Sequence, residues 1–415
     1  MIEWLNVHLR NKCDIKKKGS LERKGIEMVR SKKTITKWTF IILMCVVLFP
    51  WSAVYGQGPN LSPSSSLVSS LKINGHLDFC GEGVPIETQE VRERLEKELL
   101  LTLWDRPQVI LWLKRSRRYL PYIEEKLKDA GAPDDLKYVA IAESALRPHA
   151  GSPKGAMGFW QFIEPTGKKY GLVINKHLDQ RRNIFASTLA AIRYFKYLYE
   201  TFGSWTLAVA AYNMGEDKLM AEIVTQGVDN FYHLFLPLET QRYILRIVVV
   251  KLIASDPQRY GFLLSDEDYY PPLAFDRIEI DLFKDVSLKL IAQAAGTHFK
   301  GIKDLNPEIR GHYLPAGHHG ILLPKGASKD FKVRFEPLLK NLVADERDRI
   351  YVVKKGDTLT SIAERFNVPL SALIIWNRLD PRAHLQPGDQ LVIHRKPAEI
   401  DKDVDKSENS LTKTE

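Results

Sequence analysis

The stretch Leu136-Lys137-Tyr138-Val139-Ala140-Ile141-Ala142-Glu143-Ser144 is an apolar, helix-like run that ends on a carboxylic acid. Gly158-Phe159-Trp160-Gln161-Phe162 begins fifteen residues after Glu143, and Ala211-Tyr212-Asn213 and Glu239-Thr240-Gln241-Arg242-Tyr243 come later. Breaking a glycosidic bond requires a group still protonated near neutrality to deliver a proton to the leaving oxygen. Raising a glutamate from its free pKa of about 4.3 to about 6 takes roughly 2.3 kcal/mol of differential solvation. Apolar surroundings provide that by desolvating the carboxylate. Leu136, Val139, Ala140 and Ala142 precede Glu143, and Phe159, Trp160 and Phe162 are candidates to close the other side. Gln161, Tyr212, Asn213 and Tyr243 offer neutral hydrogen bonds suited to amide- and hydroxyl-bearing sugars. Taken singly, each piece also fits a plain reading, a solvated helix-end acid and core aromatics. The four pieces in this order point to a carbohydrate-cleaving site built around one acid.

The surrounding chain frames that site. Its 415 residues, 44% of them hydrophobic, can form cores for two or three domains. The net charge of +9 is concentrated at the start: residues 1–37 hold eleven Lys/Arg against four Asp/Glu, and the rest of the chain 49 against 47. A basic nucleic-acid-binding face is therefore not expected. The basic block leads into the uncharged stretch Trp38 to Phe49, followed by Pro50, Ser52, Ala53 and Gly56. This is the pattern of a secretory signal, cleaved after Ala53 or Gly56, with an uncleaved membrane anchor as the alternative. The basic, apolar and small-residue regions are all retained if synthesis starts at Met28. Cys13 and Cys45 lie in this leader, leaving Cys80 as the single mature cysteine with no intrachain partner.

Residues 1–56 are thus read as leader, 57–89 as a Gly/Ser/Pro-rich linker, and 90–272 as a helical domain. Leu95, Leu99 and Leu103, then Leu113, Tyr119, Ile123 and Leu127, recur at helical spacing. Pro107, Pro121 and Pro133 fall at expected helix starts. Helices are also expected over 186–202 and 241–255. Asp179, in His177-Leu178-Asp179-Gln180-Arg181-Arg182, is the one rival for a second catalytic acid, and its arginine neighbours favour a structural pairing.

With these motifs in hand, residues from about 120 to 247 resemble the catalytic domain of bacterial lytic transglycosylases related to goose-type lysozyme. The resemblance rests on Glu143-Ser144, Gly158 with Gln161, Ala211-Tyr212-Asn213, and Glu239-Thr240 with Tyr243; Phe159 departs from the usual aliphatic residue. It implies an all-α, lysozyme-like domain that cleaves peptidoglycan between N-acetylmuramic acid and N-acetylglucosamine without water. Glu143 would act first as acid and then as base on the muramic acid's own C6 hydroxyl, giving a 1,6-anhydro end. Ser144 would orient Glu143 or the 2-acetamido group, Tyr243 would bond near the carboxyl, and Gly158, Gln161, Tyr212 and Asn213 would shape the sugar cleft. No cofactor is implied.

The C-terminal part repeats itself. Leu359, Ile362, Ala363, Asn377 and Gly388 have counterparts 71 residues earlier at Leu288, Ile291, Ala292, Asn306 and Gly317. Each copy reads as a small α+β unit of βααβ order, at 277–327 and 349–394, with a linker at 328–348 and a disordered tail at 395–415. The later copy resembles a LysM module through Gly356-Asp357-Thr358-Leu359, Trp376-Asn377 and Pro387-Gly388. That resemblance implies binding of N-acetylglucosamine-containing glycan between two loops bearing Gly356, Asp357, Thr358, Arg378 and Leu379. The earlier copy, with Asp285-Val286-Ser287 in place of the turn, is a degenerate module. A protein-docking or spacer unit is the alternative for both. His312, His318 and His319 have no acid or cysteine at ligand spacing and read as a polar loop, with no metal site.

The expected partner is the peptidoglycan glycan strand, with membrane association through the N-terminal segment; the sequence names no protein partner. Two other functions remain open, a hydrolytic lysozyme or chitinase of the same fold and a non-catalytic wall-binding protein.

Overall fold

The computed structural model describes residues 67–73, 75–347, 350–380 and 384–393. The leader, the first part of the 57–89 segment and the 395–415 tail lie outside the described residues. Among the described residues, no helix is long and apolar enough to cross a membrane.

Eight helices build the first and largest core: α1 (Gln89–Trp104), α2 (Arg106–Asp129), α3 (Lys137–Ser144), α4 (Glu164–Lys169), α5 (Ile184–Phe202), α6 (Trp205–Met214), α7 (Glu216–Gln226) and α8 (Leu238–Ser255). Their starts follow from local chemistry. Asp105 accepts from the Gln108 amide at the head of α2, Asn183 from Phe185 and Ala186 at α5, and Ser204 from Leu207 at α6. Pro107 stands in the first turn of α2, where its missing N–H costs nothing, and Pro133 precedes a 3-10 turn over Asp134–Leu136. Pro121 differs from expectation. It lies inside the 24-residue α2 rather than at a helix start, because Leu120 and Ile123 on either side of it are buried in the core. The leucine spacing of α1 is realised as Leu95, Leu99 and Leu103 buried on one face. Helix α8 is the central element and packs against α1, α3 and α6.

The segment before α1 is not only a linker. Asp78–Phe79 (β1) and Glu82–Gly83 (β2) form a small antiparallel hairpin, and Leu77, Phe79 and Val84 are buried in the helical core. Glu82 places its carboxylate at the head of α6, accepting from Ser204 Oγ at 2.8 Å and from the Thr206 amide at 3.0 Å. A carboxylate at a helix N-terminus satisfies otherwise unpaired amides and opposes the helix dipole.

Two smaller cores follow, one per repeat. In the first, β3 (Phe275–Leu282) pairs antiparallel with β6 (Gly317–Pro324) in the register Ile278 to Ile321, and β4 (Val286–Ser287) pairs with β5 (Tyr313–Leu314). Helices α9 (Leu288–Ala294) and α10 (Phe299–Leu305) lie between these strands in the chain. The 328–348 segment, read as a linker, is largely helix: α11 (Phe331–Arg347) buries Phe331 and Phe335, one turn apart, in this same core. In the second, β7 (Ile350–Val352) pairs with β8 (Gln390–Val392), joined through α12 (Leu359–Arg365) and α13 (Leu370–Asn377).

The repeat extends to side-chain chemistry. At the end of α10, Asn306 donates through Nδ2 to Ile302 O and Leu322 O and accepts from the Leu322 amide, each at 2.8 Å. At the end of α13, Asn377 donates to Leu373 O and Val392 O, both at 2.9 Å, and accepts from the Val392 amide at 2.6 Å. One amide side chain thus bolts the second helix to the last strand in both copies. The asparagine amide can do this because it carries a donor and an acceptor on one planar group.

Candidate active site

Helix α3 carries Glu143 because Tyr138, Val139, Ala140, Ile141 and Ser144 bury its other faces. The helix ends abruptly, with Ala145 and Leu146 both in the left-handed region at φ 52° and 58°. Such backbone is uncommon for residues with a side chain and marks a turn held by its surroundings.

Glu143 is half-buried as a residue, while its carboxyl is deeply enclosed. Enclosure raises its pKa from 4.5 to about 7, against the opposing pull of a hydrogen bond from Tyr243 and of the Arg246 charge. Tyr243, in the second turn of α8, donates its hydroxyl to Glu143 Oε1. That leaves Oε2 as the oxygen able to carry the proton. Arg246 is itself engaged with Glu239 at 3.1 Å, and Glu239 pushes Glu143 the other way, so the two ionic influences oppose each other.

The Gly158–Phe162 loop is fixed beside the end of α3. Ser144 is almost fully buried and donates Oγ–H to Phe159 O at 2.8 Å, with Ala140 O at 3.0 Å as a second acceptor. It therefore ties the acid-bearing helix to the loop. It does not bond the Glu143 carboxyl, and burial keeps it from a sugar's acetamido group. Gly158 has φ +83°, and a Cβ there would lie 1.8 Å from Arg181 O, so no other residue fits without moving the backbone. Gln161, also at positive φ, donates from Nε2 to Gly158 O at 2.7 Å and Ala150 O at 3.0 Å. Phe159 and Trp160 are buried core residues rather than walls of an open cleft; Trp160 Nε1 donates to Thr188 Oγ1 at 3.1 Å.

Tyr212 donates to Trp160 O at 2.6 Å and stacks on Phe195 at 4.6 Å between ring centroids. Burial first, and the nearby Glu143 second, raise its pKa well above the ordinary tyrosine value, so it stays a neutral donor. Asn213 Oδ1 accepts from Thr240 Oγ1 at 3.0 Å, joining the ends of two motifs that lie 27 residues apart in the chain. The structure thus brings Glu143, Tyr243 and the neutral groups of all four motifs to the junction of α3, α6, α8 and the 158–162 loop.

Asp179 has another function. It is fully buried, and Arg181 grips it with Nε at 2.8 Å and the terminal guanidinium nitrogen at 2.9 Å. The same Arg181 donates to Gly155 O and Phe162 O, at 2.9 and 3.1 Å. Asp179 and Arg181 together hold both ends of the loop that presents Gln161. The pairing of Asp179 with an arginine was expected; the loop-holding role of Arg181 was not. Its adjacency to the buried aspartate is the only local signal.

In the later repeat the five expected glycan-binding residues have visible local roles. Gly356 takes φ +89° in the turn. Asp357 accepts from Tyr351 Oη at 2.7 Å and the Lys354 amide at 2.8 Å. Thr358 caps α12 in a reciprocal box with Ser361. Leu379 packs on the module's core. Arg378 reaches to the earlier repeat, where it contacts Asp285 and lies 4.2 Å over the Tyr313 ring. His318 differs from its sequence reading, since two acids flank it across the β3–β6 ladder, Asp281 at 2.8 Å and Glu279 at 3.3 Å. Partners on an opposing strand escape a search by local spacing. Among the described residues, no cluster of three or more His, Cys, Asp or Glu is arranged to hold a metal ion.

A helical domain that encloses the Glu143 carboxyl, followed by two βααβ modules, is the architecture of a lytic transglycosylase with LysM-type modules. Residues 121–235 match the transglycosylase SLT domain, 274–337 the LysM-like domain of lytic transglycosylase MltD, and 351–394 the LysM domain. The membrane-bound lytic murein transglycosylase D of Escherichia coli (strain K12) is 33% identical over 325 residues, 75% of this chain and 70% of the relative. A putative tributyltin chloride resistance protein of Alteromonas sp. (strain M-1) is 33% identical over 117 residues, 28% of this chain and 56% of the relative. The crystal structure of the 70 kDa soluble lytic transglycosylase of Escherichia coli aligns with 50% of this chain and 35% of its own, at 16% identity and a TM-score of 0.30. This chain belongs to the lytic murein transglycosylase D family.

Proposed function

We propose that the protein cleaves the β-1,4 bond between N-acetylmuramic acid and N-acetylglucosamine in peptidoglycan and leaves 1,6-anhydro-muramic ends. The observation that carries this is the enclosed Glu143 with a pKa of about 7 and a single neutral donor, Tyr243, on Oε1. Near neutrality a large share of Glu143 is protonated, so Oε2–H can protonate the leaving oxygen. The resulting carboxylate then takes the proton of the muramic C6 hydroxyl as that oxygen closes on C1. Each proton is accounted for by one residue. Asp179, locked to Arg181, is not placed to activate a water, which favours the substrate's own hydroxyl over hydrolysis. Among the described residues, Gln161 Oε1 and Asn213 Nδ2 have no hydrogen-bond partner, and we assign both to the sugar's amide and hydroxyl groups.

The LysM module at 351–394 holds the enzyme on the wall, where raised local concentration favours repeated cleavage. Its groove is assigned to the Gly356–Thr358 turn and the Arg378-Leu379 loop. The leader exports the protein to the cell envelope, and synthesis from Met28 suffices for this.

Mass spectrometry of a purified-wall digest tests the reaction. Anhydro-muramic ends are expected, and reducing ends in their place would turn the reading to hydrolysis. Glu143→Gln should lower turnover by about 10²–10⁴-fold; a variant retaining more than about a tenth of wild-type turnover would remove Glu143 from its role.

A further inference from the structure

The loop that leaves Glu143 borders a second feature that the reaction above does not use. Arg115, Arg118, Tyr119, Arg147, His149 and Ala150 surround a cleft of about 360 Å³. Each arginine is positioned by a backbone carbonyl: Arg115 by Ala145 O at 3.2 Å, Arg118 by Pro271 O at 3.0 Å, and Arg147 by Ser144 O at 3.0 Å. None of the three has a carboxylate partner among the described residues, although Arg117 beside them pairs with Asp266 at 2.9 Å. Arg115 is half-buried, and its pKa is lowered first by burial, with the neighbouring charges of Arg147 and Arg118 also pulling it down. His149 is held below its ordinary value by burial and then by Arg182 and Lys303. The one acid felt by His149, Asp304, is already bonded to Lys300.

Three like charges gathered around a cleft without a counterion repel one another, and an anion that entered would relieve that repulsion. The guanidinium fork matches a carboxylate in two-pronged geometry. Chain length limits the distance from Glu143 to Arg147 to at most about 14 Å, and a peptide arm of four residues spans a similar length. We propose that this cleft binds a carboxylate of the peptidoglycan substrate, carried on the muramic acid's peptide stem or on its lactyl group. The cleft thereby selects wall glycan over uncharged polymers of the same sugars. The proposal rests on the functional reading above.

A binding cycle tests it separately from the chemistry. In a full-length Glu143→Gln background, which prevents turnover, affinities are measured for glycan strands bearing stems, for stemless strands with free lactyl carboxylates, and for strands with every carboxyl amidated. Amidation and Arg147→Gln should each weaken binding about tenfold. Together they should weaken it little more than either alone, because both remove the same contact. Arg147→Lys should recover part of the loss, since it keeps the charge and loses the fork. Arg118→Gln, which changes a different wall of the cleft, should show the same coupling. A loss confined to stem-bearing strands assigns the carboxylate to the stem, a loss confined to stemless strands assigns it to the free lactyl group, which is an amide wherever a stem is attached, and losses on both show that the cleft takes either. Strictly additive effects, or equal affinity for amidated and free strands, would overturn the proposal. Failure of the wild-type protein to cleave strands that it binds would instead count against the transglycosylase reading.

Discussion

Glu143 and Asp179 are two carboxylates enclosed in the same helical domain, and their pKa values move in opposite directions. Burial is the largest influence on both and pushes both upward. At Glu143 little opposes it: one tyrosine hydroxyl, and an arginine charge partly cancelled by Glu239, so the pKa rises to about 7. At Asp179 the Arg181 fork, its charge and that of Arg182 together outweigh burial and hold the carboxylate below its ordinary value. Burial alone therefore does not make a catalytic acid. The partner decides whether enclosure favours the protonated or the ionised form, as these two carboxylates show.

Exchanging the partners' contributions should break the contrast. The largest expected effect is on stability, from Asp179→Asn. It leaves the buried Arg181 without its counterion, and breaking such a pair from one side costs about 3–5 kcal/mol. Because Arg181 also holds Gly155 O and Phe162 O, activity should fall with stability as the Gln161 loop loosens. Chemical denaturation monitored alongside wall digestion measures both. A loss of activity with unchanged stability would mean that Asp179 takes part in the chemistry, and the two carboxylates would no longer differ in kind.

A smaller effect is expected from Tyr243→Phe. The Tyr243 hydroxyl favours the ionised form of Glu143, so removing it should raise the Glu143 pKa further above about 7. The alkaline limb of the activity profile should move to higher pH. Turnover should fall about 2–10-fold, the range for one lost hydrogen bond worth roughly 0.5–1.5 kcal/mol. A limb that moved to lower pH would mean that Tyr243 bonds the neutral acid rather than the carboxylate.

How much of this was legible in the sequence follows from how local each signal is. Glu143, Gln161, Tyr212, Asn213 and Tyr243 stand in short motifs whose residue types state their chemistry, and the structure brings those motifs to one junction. Ser144 was legible as a position but not in its bonding, because its acceptor, Phe159 O, lies fifteen residues away. The 77–84 hairpin was hidden because three buried residues, Leu77, Phe79 and Val84, stand among glycines and polar residues too sparsely for any period to register. Helix α11 was hidden by Pro337, which interrupts the apolar face formed by Phe331, Phe335, Leu338 and Leu339. The paired asparagines were visible as repeated letters, yet their double bond to helix and strand is a property of the folded module. Arg115 and Arg118 stand on a helix rich in basic residues, and only the fold sets Arg147 beside them.

The comparison is sharpened last through pH alone. A carboxyl whose folded pKa is raised binds its proton more tightly in the folded state than in the unfolded chain. Between the ordinary glutamate value and about 7 the native state therefore holds more protons than the unfolded state, and stability falls as pH rises through that window. Glu143→Gln removes the titration and with it the cost of enclosing a charge. The variant should be as stable as wild type below about pH 4 and more stable at pH 8, by at most about 3 kcal/mol for a shift from 4.5 to about 7. Asp179 obeys the opposite sign. Its depressed pKa contributes stability that is present above the ordinary aspartate value and is lost as pH falls through the folded pKa. In thermal melts from pH 4 to pH 8, Glu143→Gln should therefore rise above wild type as pH rises, whereas Asp179→Asn should lie below wild type by a nearly constant amount, because the Asp179 window lies below pH 4. Parallel curves for wild type and Glu143→Gln would mean that enclosing the glutamate leaves its titration unchanged, and the distinction between the two carboxylates would fail at its more important member.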